Sequence, residues 1–237
     1  MSELRAACEA HVADTDATFK DRRHAGRLLA AALMRFKSER PVVLALPRGG
    51  VPVAYEVARR LGAPLDVVLV RKIGAPGHPE LGIGAVMDGA EPVLVLNEEI
   101  VDAIAPPPGF AEAQADTELR EIERRRRIYR DDRAMLDIAG RTVIIVDDGI
   151  ATGGTVRAVL RGLARSGPAR RVLAVPVAPH ESVDMLKPEA DEIVCLAEPE
   201  PFIAVGHHYA DFRQTSDREV VELLEQAALL TPDRAQA

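Results

Sequence analysis

The chain has no tryptophan, and its five phenylalanines and three tyrosines bring aromatics to only 3% of 237 residues. A core built from it must be packed with aliphatic side chains, which the 47% hydrophobic content supplies. Cysteine is as scarce. Cys8 and Cys195 lie far apart without metal-ligand spacing. This argues against a disulfide or metal framework and predicts a reducing, cytoplasmic setting, with Cys195 a small core residue beside Val194 and Leu196. No apolar run approaches membrane-spanning length. Early charges stand where a leader would need an apolar stretch, so no signal peptide is expected. Positive charge is not in excess either. A net charge of −7 argues against broad nucleic-acid binding, although a few Arg and Lys side chains still suffice for a local anion site.

What is present is concentrated in residues 142–155, Thr-Val-Ile-Ile-Val-Asp-Asp-Gly-Ile-Ala-Thr-Gly-Gly-Thr. The apolar run 143–146 is of the kind expected in a parallel strand covered on both faces. Asp147 and Asp148 follow it. Then comes a loop in which Gly149, Gly153 and Gly154 let the backbone curl, and Thr152 and Thr155 add hydroxyls. Val156, Val159, Leu160 and Leu163 recur at helical spacing, so the loop ends at a helix N-terminus, where unpaired N–H groups favour an anion. The two carboxylates suit sugar hydroxyls, or a magnesium ion held through its waters. The plain alternative, an Asp-Gly hairpin turn, needs a second strand at once, and 152–155 does not supply one.

Residues 143–155 resemble the phosphoribosyl diphosphate (PRPP) motif of type I phosphoribosyltransferases at every motif position. The resemblance implies that Asp147 and Asp148 contact the ribose hydroxyls. It further implies that Gly149, Ala151, Thr152, Gly153, Gly154 and Thr155 hold the 5-phosphate. Residues 42–61 repeat the strand–turn–helix order around Pro47-Arg48-Gly49-Gly50 and resemble the family's pyrophosphate loop, with Arg48, Gly49 and Gly50 as its anion-binding residues. Residues 65–70 read as a strand. The Gly/Pro-rich stretch 74–84 and a hairpin with Asp88-Gly89 at its tip stand where the family has a mobile loop over the reacting centre. Arg71 and Lys72, with His78, are its candidate cations. Together with the aspartates, Arg71 and Lys72 form the expected catalytic set. The resemblance covers roughly 19–229. It is greatest to a bacterial group of stand-alone domains with an Arg-Gly-Gly-Val-Pro loop and an aromatic tail.

The implied fold is α/β, a doubly wound, mostly parallel sheet with a flexible hairpin loop and a small C-terminal hood. We expect an N-terminal extension at 1–17, a domain at 18–230 with a helical insertion at 97–137, and a tail at 231–237. An amphipathic helix is expected at 19–37, with Leu28, Leu29, Ala32, Leu33 and Phe36 facing inward. After the break at Pro106-Pro107-Pro108-Gly109, a polar helix should span 111–130. Its Arg124–Arg127 run reads as a solvated face supported by Glu121–Arg125 and Glu123–Arg127 pairs. Further strands are expected at 172–177 and 192–196, and helices at 182–187 and 217–229. The segment 199–215 is the candidate hood: Phe202, His207, His208 and Tyr209 would bind the acceptor, against the simpler reading that these aromatics pack on the sheet.

The implied activity is magnesium-dependent transfer of ribose 5-phosphate from PRPP to a small nitrogenous acceptor. Neither nucleic acid nor membrane is an expected partner, and a homodimer is possible. The alternative is a non-catalytic PRPP or nucleotide sensor. Ala151 stands where relatives acting on 6-oxopurines carry a carboxylate, so hypoxanthine and guanine are poor candidates. No Gly-x-Ser-x-Gly, His-Glu-x-x-His or P-loop pattern is present.

Overall fold

The computed structural model describes residues 18–89, 92–131 and 133–230; the expected extension at 1–17 and tail at 231–237 lie outside them. Helix α1 (Arg22–Ala32) and a 3-10 turn lead into strand β1 (Val42–Ala45), helix α2 (Gly50–Leu61) and strand β2 (Leu65–Val67). Strands β3 (Val70–Ala75), β4 (His78–Met87) and β5 (Val93–Leu96) follow, then helices α3 (Glu98–Ile104) and α4 (Phe110–Arg130). The chain continues through β6 (Thr142–Val146), α5 (Gly154–Ala164), β7 (Arg170–Val177), α6 (His180–Leu186), β8 (Glu192–Ala197) and α7 (Asp217–Leu230).

The main sheet is parallel, in the order β2-β1-β6-β7-β8. Its strand residues alternate between two cores, as the period of two requires. Val43, Ala45, Ile144 and Val146 pack with α1, α2, α4 and α7. Val42, Leu44, Val143 and Ile145 pack with α5 and α6. Burial on both faces explains why β1 and β6 read as unbroken aliphatic runs. Each such side chain contributes roughly 1.5–3 kcal/mol by leaving water. The aliphatic α/β architecture is therefore the expected one.

Three local expectations need correction. First, the strand expected at 65–70 is two strands. Val68 N donates to Ala45 O, but Leu69 N donates to the Asp88 carboxylate (2.8 Å), and the chain leaves the main sheet there. Second, the Gly/Pro-rich stretch is mostly strand. β3, β4 and β5 form a separate antiparallel sheet. Gly77 turns its first hairpin at φ +71°, and a Cβ on Gly74 would lie 2.5 Å from Pro79 O. Asp88, expected at the hairpin tip, is buried. Burial pushes its carboxyl up, against the lowering pull of Arg130. Third, the first helix begins at Arg22, capped by Asp21, whose carboxylate accepts from His24 N (2.6 Å). Leu29, Leu33 and Phe36 are buried, but Leu28 is 45% exposed. The face turned to α2 runs through Ala25, Gly26 and Leu29, and a Cβ on Gly26 would lie 2.6 Å from Val53 O. Leu28 falls on the flank of that contact.

The Arg-rich run on α4 is a solvated face: Arg124 and Arg125 pair with Glu121, and Arg126 and Arg127 with Glu123. Arg124, and then Arg125, hold the Glu121 carboxyl down to about 2.

Candidate active site at the carboxyl end of the sheet

β6 ends by delivering Asp147 and Asp148 where its apolar run stops. Their loop is pinned from outside: Ile150 N donates to Val177 O (2.9 Å), and Ser182 Oγ donates to Ala151 O (2.8 Å). Gly153, at φ +72°, caps α5, and a Cβ there would meet Met185 at 2.6 Å. The backbone N–H groups of residues 151–155 have no acceptor among the described residues, and Ala151, Thr152, Gly154 and Thr155 are exposed. Free amides at the start of an eleven-residue helix are an anion cradle.

The loop after β1 closes on the same two acids. Leu46 N donates to Val146 O (2.9 Å), and the peptide between Pro47 and Arg48 is cis. A Cβ on Gly49 would lie 2.0 Å from Asp148 Oδ2, and one on Gly50 would lie 2.7 Å from Val146 O. These glycines let the backbone approach the aspartates, a constraint additional to the anion contact expected of them.

Electrostatically the two acids are unequal. Burial first, and then the charge of Asp148, hold the Asp147 carboxyl well above the usual range. Asp148 is partnered by Arg22, whose Nε donates to Oδ2 at 2.7 Å. The same guanidinium donates to Arg213 O (2.7 Å) and lies 3.9 Å from the Phe212 ring centroid. Sequence reasoning missed Arg22. It sits 126 positions from its partner, and no motif marks it.

The expected cations are anchored elsewhere. Arg48 Nη1 lies 3.6 Å from Asp217 Oδ1 on α7. Arg71 Nε donates to Glu118 on α4 (2.6 Å). Lys72 is exposed, with its aliphatic chain along Gly82, and His78 is also exposed.

The aromatic tail reaches the site. Val205 packs over Gly149, where a Cβ would meet it at 2.5 Å. Phe202 and His208 stack at 5.5 Å, and His207 is exposed. His208 Nε2 is buried and lacks a partner among the described residues. Burial lowers its pKa, with His207 adding to the effect. Tyr209, expected to bind the acceptor, is only 5% exposed. Its ring lies between Phe19 (5.3 Å) and Phe212 (5.0 Å), and its hydroxyl donates to Asp148 O (2.6 Å). That side chain packs and positions the acid, leaving no face open to a heterocycle.

Among the described residues no helix is long and apolar enough to cross a membrane, and no group of three or more His, Cys, Asp or Glu side chains is placed to hold a metal ion by itself. The crevice thus sets two acids, which can accept from hydroxyls, beside backbone amides free to donate to an anion.

These features place the chain in a known class. The phosphoribosyl transferase domain model matches residues 18–210, and the chain belongs to that family. The "Putative phosphoribosyl transferase Rv0571c" of Mycobacterium tuberculosis is 46% identical over 209 residues, covering 88% of this chain and 47% of the relative. The chain thus spans about half the length of that curated relative. The "Bifunctional protein PyrR" of Chloroflexus aurantiacus is 34% identical over 144 residues, 54% of this chain and 65% of its own. The crystal structure of TT1426 from Thermus thermophilus superposes with a TM-score of 0.75 at 48% identity, covering 88% of this chain and 98% of that one.

Proposed function

We propose that the protein transfers ribose 5-phosphate from PRPP to a nitrogen acceptor and releases pyrophosphate. The observation that carries this reading is the convergence of Asp147–Asp148, the free amides of 151–155 and the Pro47–Gly50 turn on one crevice. In the reaction the bond from C1 to the diphosphate breaks ahead of bond formation, and its electron pair leaves with pyrophosphate. The acceptor nitrogen then supplies the pair for the new C1–N bond. Positive charge builds on the ribose meanwhile, and fixed carboxylates nearby stabilise it.

Asp147 and Asp148 hold the ribose hydroxyls, and Arg22 positions Asp148. Gly149, Ala151, Thr152, Gly153, Gly154 and Thr155 bind the 5-phosphate. Arg48, Gly49 and Gly50 receive the leaving group. Arg71 and Lys72 join them once the β3–β5 sheet closes, which requires Arg71 to leave Glu118. The donor set fits magnesium: two neighbouring carboxylates make a hard-oxygen site that ligand oxygens and water would complete. When bound, the ion neutralises diphosphate charge.

For the acceptor, Phe202, His207 and His208 are the side chains offered by the tail. Ala151 presents no carboxylate, which favours a base other than a 6-oxopurine. The experiment is pyrophosphate release from PRPP with magnesium across purines, pyrimidines and small amines, using wild type and Asp147→Asn/Asp148→Asn. Release that the double variant abolishes is expected. Tight PRPP binding with silence across the panel would replace the enzyme with a sensor, and no PRPP binding would remove both.

A further inference from the structure

The opposite end of the sheet carries a second cleft. Pro41, Pro64 and Arg141 immediately precede β1, β2 and β6, and they open on a volume of about 1020 Å³. That is the size of a site for a small organic ligand. Leu61, Met135, Leu136 and Leu224 give it apolar walls, and Lys37, Arg40, Arg133 and Arg141 supply cations. Arg130 also lines it, but that guanidinium is already satisfied by Asp66 and Asp88. Against these five cations stand Asp66 and Asp137, a local surplus of positive charge on a chain whose net charge is −7.

The pairing pattern sharpens the point. Most of the described arginines are matched to carboxylates. The described ones without a carboxylate in ion-pair range are Arg40, Arg60, Arg120, Arg133, Arg141 and Arg165. Three of these line this one cleft. Lys37 has no carboxylate partner either. Arg141 Nη2 donates to the backbone carbonyl of Arg40 (3.1 Å), which anchors the Arg141 guanidinium at the stretch of chain that carries Arg40. Arg40 is fixed in the left-handed region at φ 49°, a conformation costly for a side chain of its kind. Gathering like charges is unfavourable unless an anion joins them.

We propose that this cleft is a second ligand site, separate from the PRPP crevice, for a small molecule that carries a phosphate on an apolar body. The phosphate lies among Arg40, Arg141 and Lys37, and the apolar body lies along Leu61, Met135 and Leu224.

Calorimetry with 1-naphthyl phosphate as the probe, against 1-naphthol and inorganic phosphate, separates the two halves of the claim. The ester should bind one-to-one, about tenfold or more tighter than either fragment, and more weakly as salt rises. Arg40→Ala/Arg141→Ala should weaken it about tenfold or more, and Lys37→Ala several-fold. Thr155→Glu, which places a negative charge in the phosphate loop at the other end of the sheet, should leave it unchanged. Far-UV circular dichroism confirms the fold of each variant; the substituted cleft side chains are at the surface. The proposal is overturned by absence of saturable binding below about 1 mM, by binding that survives the double substitution, or by binding that only Thr155→Glu removes. Because Thr155→Glu reports on the PRPP crevice alone, failure here and failure of the transferase reading are distinguishable.

Discussion

Replacing Arg22 with methionine tests how the acidic pair is held. The substitution keeps length and apolar contact with Phe212 but deletes the charge. In the native protein the two partners are nearly buried, with side-chain exposures of 10% for Arg22 and 14% for Asp148. Removing one partner of such a pair costs about 3–5 kcal/mol, because the other charge is left without compensation. Residual exposure favours the lower end, about 3 kcal/mol. The lost bond to Arg213 O and the lost cation–π attraction to the Phe212 ring overlap with that figure and are not added to it. For a domain of this size the loss corresponds to a fall in Tm of about 6–12 °C.

The pH dependence carries a definite sign. The folded-state pKa of Asp147 is raised, so the native state binds its proton more tightly than the unfolded chain does. Stability is then fullest below the ordinary carboxylate value and falls as pH rises through the raised one. The charge of Arg22 pulls that value down; without it the value climbs and the loss at high pH deepens. Urea titrations at pH 5 and pH 8 should show a larger gap between Arg22→Met and wild type at pH 8. Asp148→Asn added to Arg22→Met should recover at least half the loss. A gap below about 1 kcal/mol at both pH values, or no recovery in the double variant, would refute the reasoning.

Arg130→Met should cost about 3–5 kcal/mol by urea unfolding, because Asp66 and Asp88 then stand buried without a cation; a loss under about 1 kcal/mol would mean that water reaches them. Burial pushes the Cys195 thiol up to about 12, so iodoacetamide at pH 8 should leave Cys195 unmodified in the native protein and label it after denaturation, as peptide mapping reads.

The parts of the molecule legible in sequence are those whose physics is local. Residues 142–164 announce a buried strand, an acidic end, a glycine-rich loop and a helix through composition alone, and the Glu/Arg spacing on α4 fixes its pairs within one turn. What was not legible depends on partners distant in the chain. Leu69 leaves the main sheet because Asp88, nineteen residues on, takes its N–H. Asp88 looks like a turn residue until Arg130 arrives from α4. The glycines of the Pro47–Gly50 turn suit an anion loop on local grounds, yet their tightest contact is with the aspartates about a hundred residues later. The main sheet and the crevice could be read off; which cation sits on Asp148 could not.

The same distinction changes what the tail does. Asp148 is gripped from three separate stretches of chain: Arg22 on the carboxylate, the Gly49 backbone against Oδ2, and the Tyr209 hydroxyl on its carbonyl. The tail therefore acts on the acidic end of the crevice, through Tyr209 and Asp148. Tyr209→Phe isolates this, because the ring keeps its contacts with Phe19 and Phe212 and only the hydrogen bond is lost. Leaving this half-buried carbonyl without its partner costs about 1–2 kcal/mol. Part of that cost should appear as about three- to tenfold weaker PRPP binding, with acceptor KM unchanged. A change in acceptor KM with PRPP affinity intact would return Tyr209 to the acceptor pocket and show that Asp148 is held by Arg22 and Gly49 alone.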